Sequence, residues 1–378
     1  MIEIQEVTTE KQRKAFIRFP IDLYAGNEYY TPALTIDEKK IFKKNYVYNS
    51  TCDVVFYLAY KDGKPAGRIS GIIQHAANEK WRQKRARFTR FDCIDDQEVA
   101  NALFDKIVSW ARSKGMTEAV GPLGYSDLER EGLLIEFGFD QVATYEENYN
   151  YAYYQKLIEN YGFVKDVDWL EYKLYRLTGD MEKVIRLSNR MLEKYKLRLV
   201  QAKSINEFIK KYVREFFEVI DKTYDKIYGT VPFTEEMMQM MIENFRMIAR
   251  VKDIILVIDE NERIVGFSIL FPSIAKVVNK HHGRITLPFL IDFFKNKRRP
   301  EVIDLGLIGV LPEYESKGVA TAMLGAFAAY LEREKPVHLE TNLMLEDNKH
   351  ILNLMKHFEK DLHKKKRCYK LDITSKQD

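Results

Sequence analysis

The chain has few of the residues that build disulfide frameworks and metal sites. Its 378 residues include only three cysteines, Cys52, Cys93 and Cys368, which lie far apart and form no CxxC pair. The seven histidines show neither HxxH nor HExxH spacing. Disulfide-stapled domains and structural zinc sites depend on such clusters. We therefore expect reduced cysteines and no bound metal.

The sequence also lacks a hydrophobic run long enough to span a bilayer, which takes about 20 residues. Its most apolar helical stretch, 318–331, is shorter than that. The opening residues, MIEIQEVTTEKQRK, are too polar for a signal peptide. We therefore predict a cytoplasmic protein with no membrane partner.

Charge of one sign is not in large excess either. The formal net charge is +4, so we do not expect a nucleic-acid partner. The basic residues concentrate in two runs, Lys295–Pro300 and His363–Lys370. Such runs are either solvated segments or a rim that attracts phosphates, and the sequence leaves both interpretations open.

What the chain does have is ample apolar material and signs of an internal repeat. Hydrophobic residues make up 46% and charged residues 31%, which suits a globular protein, and the length suits two ordinary domains or one large one. Two β-hairpins are predicted, at Val54–Gln74 and Ile254–Pro272, because β-branched and aromatic runs flank a polar turn in each. Each hairpin carries a glycine early in its return strand, Gly67 and Gly266, which suggests a bulge or a close backbone approach.

A second pair of similar segments follows the hairpins. Tyr153–Leu177 and His350–Ile373 each have the pattern of a short amphipathic helix, an aromatic turn and an alternating strand. Between hairpin and second segment, each half holds a further strand and a longer helix, which starts near Asp96 in the first half and near Lys317 in the second. We predict a layered α/β protein of two domains, 1–178 and 179–378, separated at a Thr-Gly-Asp turn.

One stretch, GVLPEYESKGVATAML (Gly309–Leu324), places a glycine where an apolar strand turns into an apolar helix. It resembles the central motif of the GNAT superfamily of acetyl-coenzyme A-dependent N-acetyltransferases, a strand with V-x-P followed by Q/R-x-x-G-x-G/A. Here Val310 and Pro312 match the first part, and the second part falls on 315–320. The later family motif, N-x-x-A-x-x-L-Y, is similar to the residues from Asn348 to Met355.

With the second hairpin, the resemblance covers most of residues 180–373, and the first half resembles the same fold more faintly. The chain is therefore similar to a tandem-GNAT protein. That resemblance implies two domains, each with a mixed, mostly antiparallel central sheet flanked by helices. It also implies the use of acetyl-CoA or another acyl-CoA.

The physics of helix ends supports a coenzyme A site at the same motif. A helix N-terminus offers unpaired amides and the positive end of its dipole to a pyrophosphate. The candidate donors are the backbone amides of Lys317, Gly318, Val319, Ala320 and Thr321, and Lys317 adds a positive charge. The alternative is that Gly318 only eases the turn.

Two residues of this motif depart from the family pattern. Glu315 stands where the family has glutamine or arginine, and Ser316 stands where glycine is common. In the first half the same position has no glycine and carries Asp92, Asp95, Asp96 and Glu98. Acidic residues suit a helix start but repel a pyrophosphate. We therefore interpret the first half as a degenerate repeat that has lost the cofactor and walls the substrate site.

Acyl transfer to an amine needs a base and a donor for the thioester oxyanion. The resemblance implies that two central strands separate and that a backbone amide polarises the thioester carbonyl. By alignment the candidate amides are those of Ile308, Gly309 and Val310.

Three acidic residues are candidates for the base, although each is otherwise an ordinary strand-end carboxylate. They are Asp304, Glu340 and Glu301. Asp304 is the first choice, because it lies within an apolar run where an unpaired carboxylate is costly.

Other positions of the motif have two interpretations. The proton-donating tyrosine of the family is replaced by Met355. Asn348 either binds cofactor or substrate, or caps the following helix. Tyr224, Tyr228 and Phe233 either line an aromatic substrate pocket or pack in the core.

We predict an acetyl- or acyl-CoA-dependent N-acyltransferase that acts on a small amine or amino acid derivative. One alternative is a transferase that uses aminoacyl-tRNA, because peptidoglycan-bridge enzymes also have tandem GNAT domains. A second alternative is a non-catalytic protein that binds coenzyme A or a metabolite. The departures from the family motif at Glu315 and Met355 favour this alternative.

Overall fold

The computed structural model describes residues 1–374. The described strands are β1 (Ile2–Glu6), β2 (Cys52–Lys61), β3 (Lys64–Gln74), β4 (Arg85–Cys93), β5 (Glu118–Gly121), β6 (Leu133–Ile135), β7 (Val164–Leu177), β8 (Arg198–Val200), β9 (Ile254–Ile258), β10 (Ile264–Pro272), β11 (Val302–Val310), β12 (His338–Thr341), β13 (Met344–Leu345) and β14 (Phe358–Asp372).

Helices connect most of these strands. They are α1 (Glu10–Leu23), α2 (Thr35–Lys40), α3 (His75–Lys80), α4 (Gln97–Ser113), α5 (Tyr153–Tyr161), α6 (Met181–Lys194), α7 (Ile205–Lys211), α8 (Val213–Tyr224), α9 (Glu235–Ile248), α10 (Ala275–Lys280), α11 (Leu287–Arg298), α12 (Val319–Glu334) and α13 (Lys349–Met355), with short 3₁₀ turns at Val251–Asp253 and Pro312–Tyr314. Within residues 1–374, none of these helices has the length and apolar content needed to cross a membrane.

The chain divides into two compact units, and each takes up more than one segment. The first comprises Met1–Leu170, Ile274–Asp292 and the C-terminal segment from His363; the second comprises Glu171–Ser273 and Phe293–Leu362. Two of these divisions fall within the long strands β7 and β14, and a third falls within helix α11. The boundary at 178/179 therefore stays a prediction about the two repeats.

The same strand arrangement occurs in both units. In the first, β1 to β5 lie side by side in chain order, and the pair β4–β5 is parallel while the other neighbours are antiparallel. In the second, β8 to β12 lie side by side in chain order, and β11–β12 is the parallel pair. Each mixed, mostly antiparallel sheet is flanked by helices, which confirms the predicted fold class.

Both predicted hairpins form, and their glycines allow a helix to approach the sheet. A Cβ on Gly67 would lie 2.8 Å from Leu103 on α4, and a Cβ on Gly266 would collide with Val319 on α12. Each helix therefore packs directly on the return strand of its own hairpin. The apolar side chains between sheet and helix form a separate core in each unit.

The interpretations of the two basic runs need correction. His363–Lys370 is not a solvated segment, because it lies in β14 and Lys366 is fully buried with its Nζ 2.6 Å from Glu147 Oε2. Lys295–Arg298 forms the end of helix α11 instead of a loop. Sequence patterns identified the positive charges but not the elements that carry them.

Candidate active site

Strand β11 has one edge that is paired along almost its whole length and another that is paired only at its beginning. Along β10 the pairing runs from Ile303 to Val310. Along β12 it covers only Val302–Leu305. The following residues, 306–310, are partly exposed, whereas 303–305 are buried. The second half of β11 therefore has an open edge in the position where the family resemblance implies separated strands.

Two residues mark the point where the strands part. The side-chain amide of Asn342, just beyond β12, donates a hydrogen bond to the Gly306 carbonyl at 3.1 Å. Gly306 has no partner on β10, and the Phe271 ring occupies the place where its Cβ would be. Neither feature was predicted, because both depend on contacts between distant segments.

The polar backbone groups of Ile308 face the open edge. The Ile308 amide donates to the Tyr224 hydroxyl at 3.2 Å, and that hydroxyl also lies 3.2 Å from the Ile308 carbonyl oxygen. The amide of Leu311 donates instead to Val265 of β10. Because amides alternate between the two edges of a strand, Val310 shares the open edge with Ile308, and Gly309 faces β10. Of the three candidate amides, two are directed into the gap.

The candidate acids lie towards the paired end of β11. Asp304 is buried and its Cα is in register with that of Glu340 on β12. A strand rises about 3.3 Å per residue, so Asp304 is roughly 13 Å from Ile308 along β11. Glu301 is exposed and a further three residues away. The geometry places two of the three acids beside each other but none beside the Ile308 amide.

Glu340 belongs to a charged row across the sheet. Its Oε2 lies 3.5 Å from His338 Nε2, and its Cα is in register with Lys173 of β7. Both the His338 and the Glu340 side chains are largely buried. His338 was not among the predicted site residues, because nothing in its local sequence distinguishes it.

The N-terminus of α12 is open to an anion. Gly318 precedes the helix with φ of 73°, and no side chain caps the first turn. The amides of the first turn have no partner within a helix, which leaves those of Val319, Ala320 and Thr321 as the cradle. The Lys317 amide does not belong to this cradle, because it donates a hydrogen bond to the Tyr314 carbonyl at 3.0 Å. The Lys317 ammonium lies 4.2 Å from the centre of the Tyr314 ring.

The glycine itself has a structural reason that the sequence did not reveal. A Cβ on Gly318 would lie 2.7 Å from Met191, and one on Gly325 would lie 2.5 Å from the Ser188 hydroxyl. Met191 and Ser188 belong to α6, a helix that was not predicted and that packs along α12. Gly318 is therefore needed for its positive φ and for this helix contact. The feature that favours an anion is the set of uncapped amides in the first turn of α12.

Glu315, the departure from the family pattern, does not point into the first turn of α12 as a cap. Its side chain is about half exposed, and its Oε2 lies 3.9 Å from Nδ1 of His350 on α13. Asn348 caps that helix, with its side chain accepting from the Ile351 amide at 3.3 Å. Met355 is buried in the core, so this position offers no proton donor.

The three aromatic candidates separate into different environments. Tyr224, at the end of α8, reaches the open edge of β11 as described above. Phe233 packs edge-to-face on Phe217, with ring centres 5.4 Å apart, as part of the core. Tyr228 is partly buried in the connection that follows α8. Of the three predicted pocket residues, Tyr224 thus lies at the gap, and it contacts the gap with its hydroxyl.

In the first unit the corresponding helix start is closed. The Asp96 side chain caps α4 by accepting from the amides of Glu98 and Val99. Its hydrogen bond with Lys61, together with these amides, holds the pKa of Asp96 below its usual range. Asp92 is buried and bound to Arg68 at 2.7 Å. A carboxylate of the chain therefore occupies the place that an anion would take.

Comparison with known proteins gives a family match for part of the chain and two relatives along most of it. Residues 213–359 match the acetyltransferase (GNAT) family. Protein YghO of Escherichia coli K12 is 25% identical over 377 residues, covering 95% of this chain and 93% of that protein. The bacterial ceramide synthase of Caulobacter vibrioides is 23% identical over 292 residues, covering 76% and 74%.

Two solved structures share the fold along the full chain. A tandem GNAT protein from the clavulanic acid biosynthesis pathway has a TM-score of 0.59 at 10% identity and covers 100% of both chains. A GCN5-related N-acetyltransferase from Sphaerobacter thermophilus has a TM-score of 0.51 at 9% identity, covering 100% of this chain and 97% of that one. Residues 213–359 thus match the GNAT family, and the chain as a whole shares its fold with a tandem GNAT protein.

Proposed function

We propose that this protein is an N-acyltransferase that moves an acyl group from acyl-CoA to an amine, with its site in the second unit. The observation that supports the proposal most directly is that two features occur together around β11. The Ile308 amide faces an open strand edge, and an uncapped helix N-terminus follows the same strand. Acyl-CoA, when bound, supplies an electrophilic thioester.

The residues at the start of α12 fit the pyrophosphate of coenzyme A. The amides of Val319, Ala320 and Thr321 would hold it, since a helix N-terminus favours anions. The Lys317 ammonium adds positive charge, and Asn348 on α13 is a further candidate contact. The first unit takes no part in this binding, because Asp96 already caps its helix.

At the reacting end, the chain directs two backbone amides and one hydroxyl into the gap. The Ile308 amide is the candidate donor to the developing oxyanion, and Val310 is the next amide on that edge. The Tyr224 hydroxyl, bound to Ile308, is the candidate proton source for the thiolate, in the role that Met355 cannot fill. Asp304 and Glu340 are candidates to accept the ammonium proton through water, since neither adjoins Ile308.

The acceptor is proposed to be a small amine or amino acid derivative, and one relative favours a second candidate. Ceramide synthase makes an amide on the amine of a long-chain base, and the Caulobacter protein of that name aligns over 76% of this chain. The second candidate acceptor is therefore an amphiphilic long-chain amine. The two candidates differ in the acceptor and in acyl chain length, not in the chemistry at Ile308.

Two measurements test the proposal. Acetyl-CoA and long-chain acyl-CoA should each be added in a thermal unfolding experiment, because a ligand that binds only the folded state raises the midpoint. Release of free coenzyme A thiol should then be followed with a panel of short and long-chain amines. No midpoint shift with any acyl-CoA would refute the proposal, and a shift without thiol release would favour a non-catalytic binding protein.

A further inference from the structure

The connection between β10 and β11 carries a helix with no counterpart in the first repeat. In the first repeat, β3 and β4 are joined by residues 75–84, whereas β10 and β11 are joined by residues 273–301. The longer connection contains α10 and α11. The proposed acyl transfer uses no residue of this connection.

Helix α11 has an apolar face that is exposed. Leu287 is 72% exposed, and Ile291 and Phe294 are each 61% exposed. With the partly exposed Leu290, they recur at the spacing of one helix face. On the opposite side of the helix, Phe289 and Phe293 are buried and hold it in place. The described residues leave this apolar stripe uncovered, although such stripes normally face a core or a partner.

Positive charge surrounds the end of the stripe. Arg298 continues the same helix face one turn after Phe294, and the exposed Lys295 and Arg299 lie next to it. The one acidic residue of α11, Asp292, lies towards the opposite side of the helix. There its Oδ2 forms an ion pair with Lys280 Nζ at 2.7 Å and a hydrogen bond with His281 Nε2 at 2.8 Å. The exposed face therefore combines apolar and cationic groups without a competing carboxylate.

We propose that α11 is a membrane-surface helix that docks this protein on an anionic lipid bilayer. An interfacial helix inserts its apolar face among the acyl chains and keeps basic residues at the headgroup level. Leu287, Ile291 and Phe294 would insert, and Lys295 and Arg298 would meet lipid phosphates. A second copy of this chain would need only the apolar face. The basic residues beside that face complement lipid phosphates, so they favour a lipid surface as the partner.

This inference stands apart from the proposed acyl transfer, and it differs from the prediction of no membrane partner. That prediction rested on the lack of a spanning run, and an interfacial helix needs no such run. Its basic residues belong to the run Lys295–Pro300, for which the sequence left open a rim that attracts phosphates. The structure adds the apolar face beside them.

The test is flotation of the full chain with lipid vesicles. Vesicles of phosphatidylethanolamine and phosphatidylglycerol should bind the protein, and neutral phosphatidylcholine vesicles should bind it at least about tenfold less. Ile291→Ser with Phe294→Ser should weaken binding at least about tenfold, because two apolar side chains leave the bilayer. Lys295→Gln with Arg298→Gln should weaken it about 10-fold or more and reduce its salt dependence.

The matched control is Val164→Ser, which removes another exposed apolar side chain, one that belongs to β7 instead of α11. It should bind vesicles like the wild type. All substituted side chains are exposed, so thermal unfolding should stay unchanged and report that the variants fold. The proposal is overturned if the wild type does not bind anionic vesicles, or if the α11 variants bind as well as it does. A dimer that the Ile291 and Phe294 substitutions abolish, without vesicle binding, would identify a second copy instead.

Discussion

The Tyr224 hydroxyl accepts the Ile308 amide at 3.2 Å and lies at the same distance from the Ile308 carbonyl oxygen. One residue at the end of α8 thus holds both polar backbone groups of Ile308, on the open edge of β11. An open strand edge otherwise exposes unpaired donors and acceptors. The tyrosine satisfies these groups in the free protein and places a proton donor in the gap.

Tyr224→Phe is expected to lower turnover about 10- to 100-fold while changing the affinity for acyl-CoA less than about threefold. The reason is that a positioned general acid contributes to the reaction step more than to binding. The measurement is thiol release under saturating acyl-CoA, with binding followed by calorimetry. Tyr195→Phe, on a partly buried tyrosine of the same unit, is the control. If Tyr224→Phe turns over like the wild type, the thiolate takes its proton from water.

Local patterns were sufficient to predict the elements that hold the site. The hairpin of β9 and β10, the glycine at 266 and the strand-to-helix turn at 318 follow from residue types within a few positions of each other. Asp96 caps α4 at the predicted helix start, because capping depends on neighbouring amides. The fold class could be obtained in this way.

The rest depends on contacts between distant segments. Helix α6 is stabilised by packing on α12 and carries no sequence motif of its own. The sequence around β14 does not show that Lys366 is buried, because its partner, Glu147, lies more than 200 residues earlier in the chain. The candidate acids Asp304, Glu340 and Glu301 follow from their charge and their predicted places in or beside strands. Their separation from Ile308 follows from strand geometry together with the position at which β12 leaves β11.

Ala320→Glu is expected to weaken coenzyme A binding more than about tenfold without loss of stability. A carboxylate in the first turn of α12 would repel the pyrophosphate, yet it would favour the helix by about 0.3–1 kcal/mol through the helix dipole. Calorimetry with coenzyme A and thermal unfolding measure the two effects separately.

The control is the same substitution at an exposed position near the other end of this helix, Ala329→Glu. It should leave coenzyme A binding unchanged, because it lies about 13 Å further along the helix axis. Equal affinities of the two variants would remove the start of α12 from the cofactor site.

Glu315→Gln is expected to strengthen coenzyme A binding about two- to fivefold. The carboxylate is half exposed beside His350, so its repulsion of a nearby pyrophosphate is reduced by solvent and is worth about 0.5–1 kcal/mol. The gain should shrink as salt is raised from about 0.05 M to about 0.5 M. Glu313→Gln, which removes an exposed carboxylate paired with Arg263, is the control. Unchanged affinity would mean that Glu315 lies too far from the phosphates to matter.

Asp168→Asn is expected to destabilise the first unit by about 2–3 kcal/mol at neutral pH. The buried Asp168 carboxylate receives two hydrogen bonds from Arg367, at 2.7 and 2.9 Å, and pairs with Lys165 at 3.0 Å. Although burial alone would raise the pKa of Asp168, these cations hold it below its usual range.

Because the folded-state pKa is lowered, the stabilisation is complete above the unfolded value of about 3.9 and is lost as pH falls through the folded value. The difference in unfolding free energy between wild type and Asp168→Asn should therefore be constant from about pH 7 to about pH 5 and shrink below about pH 4. Urea denaturation across this range measures it. Glu359→Gln, which breaks an exposed pair with Arg176, should cost less than about 1 kcal/mol at any pH. If the difference in unfolding free energy does not change with pH, Asp168 stabilises the protein through packing and not through its charge.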